Sequence, residues 1–181
     1  LCVCKNTVKK TCLFSSGTLT IIENLKAKFL ESGMFPAIPT QPAIIKREIF
    51  DDPEMRCIEN AVGQDTLLGW ELLCRAKKGG FTSDAFLIYY AGRTNSVTNA
   101  ITSGYFNKAL IREKAQVAML KKYALLDVYK TYKFELFMSN WYFSKYRTIT
   151  DPIERQKSFD ILNEIADVYN LPLPAKYAQY N

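Results

Sequence analysis

The sequence predicts a predominantly helical protein, with an α/β first half holding a few short strands and an all-α second half. Three observations carry this. Strand-like runs are short and end by residue 91. From residue 105 onward apolar residues recur at helical spacing. Asp151-Pro152-Ile153-Glu154 has a capping residue, a proline at the first helical position and an acid placed to complete a capping box. We therefore divide the chain into regions 1–104 and 105–181.

The elements follow in order. Leu-Cys-Val-Cys at the start and Thr11-Cys12-Leu13-Phe14 suit short strands, with Ser15-Ser16-Gly17 as a turn. A helix is expected over 21–32, where Ile22, Leu25, Phe29 and Leu30 share a face and Gly33 fits the stop. Pro36, Pro39 and Pro42 mark an extended loop, 43–50 a short apolar and basic element, and Asp51-Asp52-Pro53-Glu54 a turn. A second helix is expected over 65–78, ended by Gly79-Gly80, and a strand over 84–91. The polar stretch 92–104 reads as a functional loop. Helices follow over 105–123, over 125–146 and from Asp151 to the Asn170-Leu171-Pro172 stop. So few strands make a poor sheet alone. With Leu1 opening directly in strand-like sequence, the chain reads as the later part of something longer.

Hydrophobic residues make up 48%, enough for a core, and 23% charged residues argue against a disordered chain. The net charge of +6 is uneven: 101–147 holds nine Lys or Arg against three Asp or Glu, so this stretch carries it all. Such charge favours an anionic partner: a nucleic acid, an acidic membrane face or a phosphorylated sugar donor. No histidine is present, which removes the commonest proton shuttle and metal ligand. The odd count of five cysteines points to a reducing compartment. Cys2, Cys4 and Cys12 could seed a zinc site but lack an apparent fourth ligand, and buried thiols are the simpler reading. No leader and no membrane-spanning run is seen, so a cytoplasmic place is expected.

Nucleotide-binding loops of the G-x-x-x-x-G-K-[ST] and G-x-G-x-x-G types are absent, as are G-x-S-x-G and D-x-D. The acids at 51–54 offer carboxylates for a metal, but acids around a proline more often make a turn. More informative is Gly63-Gln64-Asp65-Thr66-Leu67-Leu68-Gly69-Trp70-Glu71-Leu72-Leu73. It is followed by Leu87-Ile88-Tyr89-Tyr90-Ala91-Gly92-Arg93-Thr94-Asn95-Ser96-Val97-Thr98. This pair, with 43–50 upstream, resembles the closing part of inverting family 2 glycosyltransferases. There a Gly-Glu-Asp-Thr stretch opens a helix and a later strand ends in Tyr-x-Tyr-Arg with Ser and Thr after it. The likeness covers about residues 35 to 100.

The resemblance implies a partial GT-A-like sheet and makes Asp65 the catalytic base. An inverting transferase needs one carboxylate to take the proton of the attacking acceptor hydroxyl, where glycosidases use two. An Asp before an apolar periodic run is also a good N-cap, and the two roles are compatible. Gln64 stands where the family has Glu, which removes a negative neighbour from the base. The resemblance places Gln64, Arg93, Ser96 and Thr98 near donor phosphates or acceptor; an Arg fork suits a phosphate, while a solvated loop is the plainer reading. Trp70 offers a face to an acceptor sugar or, at helical spacing with Leu67 and Leu73, belongs to the core. The family's donor-binding half, with its D-x-D ligands for Mg or Mn, would lie outside this chain, leaving it inactive by itself.

In the tail, Lys121-Lys122-Tyr123, Tyr129 to Phe134 and Trp141 to Arg147 interleave aromatics with cations. One reading buries the helix nearly all round, with Leu125, Tyr129, Tyr132 and Leu136 on one side and Phe137 and Trp141 on another. A second rests it on an anionic membrane. A third, nucleic-acid binding, has no accompanying motif and is not expected. The expected function is thus the acceptor-side part of a bacterial sugar transferase using a nucleotide sugar and a glycan, lipid-linked or protein-linked acceptor, in the cytoplasm or at the inner membrane face. The alternative is a non-catalytic basic helical module that binds a partner or a membrane surface.

Overall fold

Helices dominate the computed structural model, which describes residues 2–4, 7–9, 20–36, 43–81, 89–90 and 101–180. Among these the strands are short. β1 (Cys2–Cys4) pairs antiparallel with β2 (Thr7–Lys9), Val3 opposite Val8. β3 (Thr20–Ile22) pairs antiparallel with β4 (Gly79–Phe81), and β1 pairs parallel with β5 (Tyr89–Tyr90). The rest of the strand expected at 84–91, the proposed strand at Cys12, and Pro39 and Pro42 lie outside the described residues.

Two expectations are corrected here. The helix expected over 21–32 starts later: its first residues are in β3, and helix begins beyond Asn24, passing into a π-helical turn, Ala27–Glu31. The helix expected over 65–78 is α1 (Gln64–Arg75), and Gly79-Gly80 continues as a strand. Glycine leaves its backbone N–H and C=O open on both sides, and here β3 takes them up. The segment 43–50 forms only a 3-10 turn, Arg47–Phe50.

The second half is helical, as its spacing predicts. α2 (Ser103–Lys122) is followed by α3 (Leu126–Tyr132), α4 (Phe134–Phe137), a π-helical segment (Met138–Phe143) and α5 (Ser144–Tyr146). These four pieces occupy the single helix expected over 125–146. α6 (Pro152–Val168) packs along α2. Phe106, Ala109, Val117 and Leu120 of α2 meet Phe159, Leu162 and Ile165 of α6 in one apolar core, which also takes in Leu25, Phe29, Leu67 and Trp70 from before position 104.

The start of α6 shows how local chemistry sets an element. Asp151 is extended, and its Oδ1 accepts the Glu154 amide at 2.8 Å, with Pro152 in the first turn. The other half of the expected capping box is used elsewhere. Glu154 Oε2 accepts the backbone N–H of Ser103 at 2.8 Å. Thr102, at the N-cap of α2, makes no side-chain cap bond, so Glu154 satisfies an orphan amide on the neighbouring helix. Asp151→Ala is expected to cost about 1 kcal/mol, a fall in melting temperature of roughly 2–4 °C for a chain of this size, measured by thermal denaturation followed by circular dichroism.

Candidate functional site

The N-terminus of α1 carries the residues the sequence singles out. Gly63 precedes it at φ 70°, in the left-handed region that L side chains rarely adopt. A Cβ there would meet Arg112 Nη1 at 3.4 Å, an ordinary contact, so it is the backbone conformation that favours glycine. Gly63 holds the N-cap position, which puts Asp65 one step inside the helix rather than at the cap. Asp65 is half-buried, and its Oδ1 accepts the Thr66 amide at 2.9 Å, one of the helix's orphan donors. A carboxylate also sits favourably at the positive end of the helix dipole.

Gln64 opens onto a groove of about 310 Å³ between α1 and α2. Leu67, Leu68 and Met119 give it an apolar floor, and Glu54, Arg56 and Lys122 a charged rim. Asp65 is one residue along the helix from this lining.

Beside the groove, a chain of ion pairs ties the 51–54 turn to both helices. Asp52 Oδ1 accepts the Glu54 amide at 2.8 Å, closing the turn, and its other oxygen takes a hydrogen bond from Arg75. Arg75 also donates to Glu71 at 2.7 Å and to Glu54 at 3.2 Å. Lys122 reaches Glu54 at 2.5 Å and Glu71 at 3.3 Å. Burial pushes the Glu71 carboxyl up, but the Tyr123 hydroxyl, Arg75 and Lys122 together hold it below its usual range. Asp52 and Glu54 of the turn are thus matched by cations. Among the described residues no group of three or more His, Cys, Asp or Glu is placed to hold a metal ion. Cys74 is no better a ligand, since burial pushes its thiol up to about 12. Cys2 and Cys4 lie in β1, and Cys12 is outside the described residues.

Deeper still lies a polar network that sequence reasoning missed. Arg112, Glu113 and Gln116 are at most 2% exposed. Arg112 Nη2 meets Glu113 at 3.1 Å and donates to Gln116 Oε1 at 2.5 Å. Glu113 also accepts from the Tyr142 hydroxyl at 2.5 Å, from Tyr169 and from Gln116 Nε2 at 3.1 Å. Burial first, and the Glu113 charge after it, hold the Tyr142 and Tyr169 hydroxyls far above their ordinary range, so both stay protonated donors. Arg112 Nε has no partner. The signal was present: Glu113 and Gln116 interrupt the apolar stripe of Phe106, Ala109, Leu110, Val117 and Leu120 at helical spacing.

The structure sorts the remaining candidates. Of the two readings of Trp70, a sugar-facing residue or a core one, the structure gives the core one. Only 1% exposed, its indole donates to the Pro36 carbonyl at 2.8 Å and packs edge-on against Phe35 at 5.3 Å, leaving no face for a sugar ring. Arg93, Ser96 and Thr98 lie outside the described residues, so their relation to Asp65 is not described. No family model, curated protein or solved structure matches the chain.

Proposed function

We propose that this chain is the acceptor-side part of an inverting glycosyltransferase that moves a sugar from a nucleotide-sugar donor to a glycan, lipid-linked or protein-linked acceptor in a bacterial cytoplasm. The observation that carries the reading is the half-buried Asp65 carboxylate in the first turn of α1, beside the Gln64 groove. In this reading the groove is the acceptor's approach. Asp65 accepts the proton of the attacking hydroxyl as the oxygen bonds to the anomeric carbon and the nucleoside diphosphate leaves with the glycosidic electron pair. One oxygen of Asp65 is engaged by the Thr66 amide, and in this reading the other takes the proton. Gln64, neutral where the resembled family has an acid, leaves Asp65 without an adjacent negative charge. Donor phosphates and any divalent cation would be held by residues beyond this chain, and Arg93 would contribute a fork to the phosphates.

The test is Asp65→Asn in the full-length gene product. The amide keeps an oxygen for the Thr66 N–H, so the helix start survives while proton acceptance is lost. Sugar transfer is expected to fall by about 10²–10⁴-fold with the melting temperature unchanged. Transfer retained, or lost only together with the fold, removes Asp65 as base and leaves the non-catalytic helical module as the reading.

A further inference from the structure

The helical tail and the end of the chain form a second cleft, which shares no lining residue with the groove beside Asp65. Most rings of the tail are interior: Tyr129, Tyr142, Phe143 and Tyr146 are at most 1% exposed. Tyr132 at 66%, Leu136 at 51% and Trp141 at 39% are not, which corrects the reading that buries these three. No helix among the described residues is long and apolar enough to cross a membrane. Tyr132 and Leu136, without Trp141, belong to the cleft, whose volume of about 350 Å³ falls among those of small-molecule sites, roughly 300–1,000 Å³.

Its wall is two helical rows at four-residue spacing. Thr131, Glu135 and Ser139 make one, and Tyr132, Leu136 and Asn140 the other. Backbone bonding runs on through Lys133, between α3 and α4: its amide reaches the Tyr129 carbonyl at 2.9 Å, and its carbonyl accepts the Phe137 amide at 2.8 Å. Lys176, in the C-terminal 3-10 turn Ala175–Tyr180, closes one end. That turn is held by the Tyr177 ring, stacked on Phe143 at 3.4 Å. The Tyr132 ring is exposed yet fixed in place. Gly33, at φ 77°, lies against it, and a Cβ there would come within 3.1 Å of Tyr132 Cβ, Cγ and Cδ2. Glycine at 33 therefore both turns the chain and makes room for the ring.

The lining selects among occupants. Glu135 and Lys176 are its only charged side chains, and they pair with each other at 3.1 Å, so the cleft is neutral and favours a neutral ligand. The wall is helix, with its backbone groups bonded internally, so a peptide strand finds no edge to extend. Leu136 is the single aliphatic side chain, too little to seat an amphipathic helix. What the cleft does offer is one positioned aromatic ring beside small polar groups. The Asn140 amide and the Thr131 hydroxyl each donate and accept, and neither side chain is hydrogen-bonded among the described residues. A sugar ring has the matching chemistry: apolar C–H faces for an aromatic surface, and hydroxyls at its rim that donate and accept.

We propose that this cleft holds one unit of a neutral saccharide, with a C–H face on the Tyr132 ring and hydroxyls on Thr131 and Asn140. It is a holding site and carries no chemistry of its own. It does not depend on Asp65 and stands or falls separately from the transferase reading.

The experiment is titration calorimetry and saturation-transfer NMR of the full chain with cellohexaose, maltohexaose, mannohexaose and the hexamer of N-acetylglucosamine, with a heparin oligosaccharide as the anionic control. Binding is expected to at least one neutral oligosaccharide, unchanged by added salt, with saturation passing to the sugar's C–H protons. Tyr132→Ala is expected to weaken it about tenfold or more, while Tyr132→Phe, which keeps the ring against Gly33, leaves it nearly intact. Asn140→Ala should weaken it roughly fivefold at unchanged melting temperature, since that side chain is exposed. This variant decides the matter should Tyr132→Ala fail to fold. The proposal is overturned if none of the neutral oligosaccharides binds, or if heparin alone binds and salt removes it. It is also overturned by binding that Gln64→Ala abolishes while Tyr132→Ala and Asn140→Ala leave it intact, which belongs to the groove beside Asp65.

Discussion

Glu113→Ala is expected to lower the unfolding free energy by about 3–5 kcal/mol, the cost of removing one partner from a buried ion pair. Glu113 is 1% exposed and is the anion around which the polar centre is organised. Without it, Arg112 keeps a buried charge whose remaining side-chain hydrogen bond is to Gln116, and the Tyr142 and Tyr169 hydroxyls lose the acceptor they share. Each stranded donor adds a desolvation cost. Urea denaturation of the purified chain measures this. Replacing the pair together, Arg112→Met with Glu113→Leu, should recover much of the loss, because well-packed apolar residues of similar volume serve as well as a buried pair. A loss below about 1 kcal/mol for Glu113→Ala would mean that water reaches the network and stabilises the stranded groups. The same centre touches the proposed site, since Arg112 lies against Gly63, two residues before Asp65.

Trp70→Ala is expected to cost a similar amount, about 3–5 kcal/mol. The indole fills the space among Phe35, Tyr129 and the Pro36 carbonyl, with its ring 5.8 Å from that of Tyr129. Removing it leaves a cavity and an unpartnered carbonyl. It also removes the ring that holds Phe35, whose backbone sits at φ 36° and depends on its surroundings to stay there. Trp70→Phe should cost much less, since it keeps most of the volume and loses mainly the hydrogen bond. Thermal and urea unfolding of both variants decide the matter. On the proposed transferase reading, sugar transfer should follow stability across the two: lost with alanine, largely kept with phenylalanine. A transfer defect in Trp70→Phe without a stability change would return Trp70 to the acceptor side.

The helical second half was readable because its signals are local. Asp151 and Pro152 start α6, and apolar spacing marks α2 whatever surrounds them. The same locality explains the errors. Nothing near Gly79-Gly80 announces a strand, because β4 exists only through pairing with Thr20–Ile22, more than fifty residues away. The π-helical segment at Met138–Phe143 is equally hidden, since it interrupts a helical pattern without a proline or glycine to mark it. Glu154 fits a capping box by spacing, yet it serves the amide of Ser103, a partner that only helix packing brings near.

By itself the sequence determined a mostly helical class, the basic tail and the candidate carboxylate at the mouth of a short helix, since composition, periodicity and capping act within a few residues. Tertiary structure alone decided that Trp70 faces inward while Trp141 is partly exposed, that Asp52 and Glu54 answer to Arg75 and Lys122, and that Glu113 is sealed among tyrosines. Those outcomes depend on which distant surfaces meet, because burial and charge pairing are properties of neighbours in space.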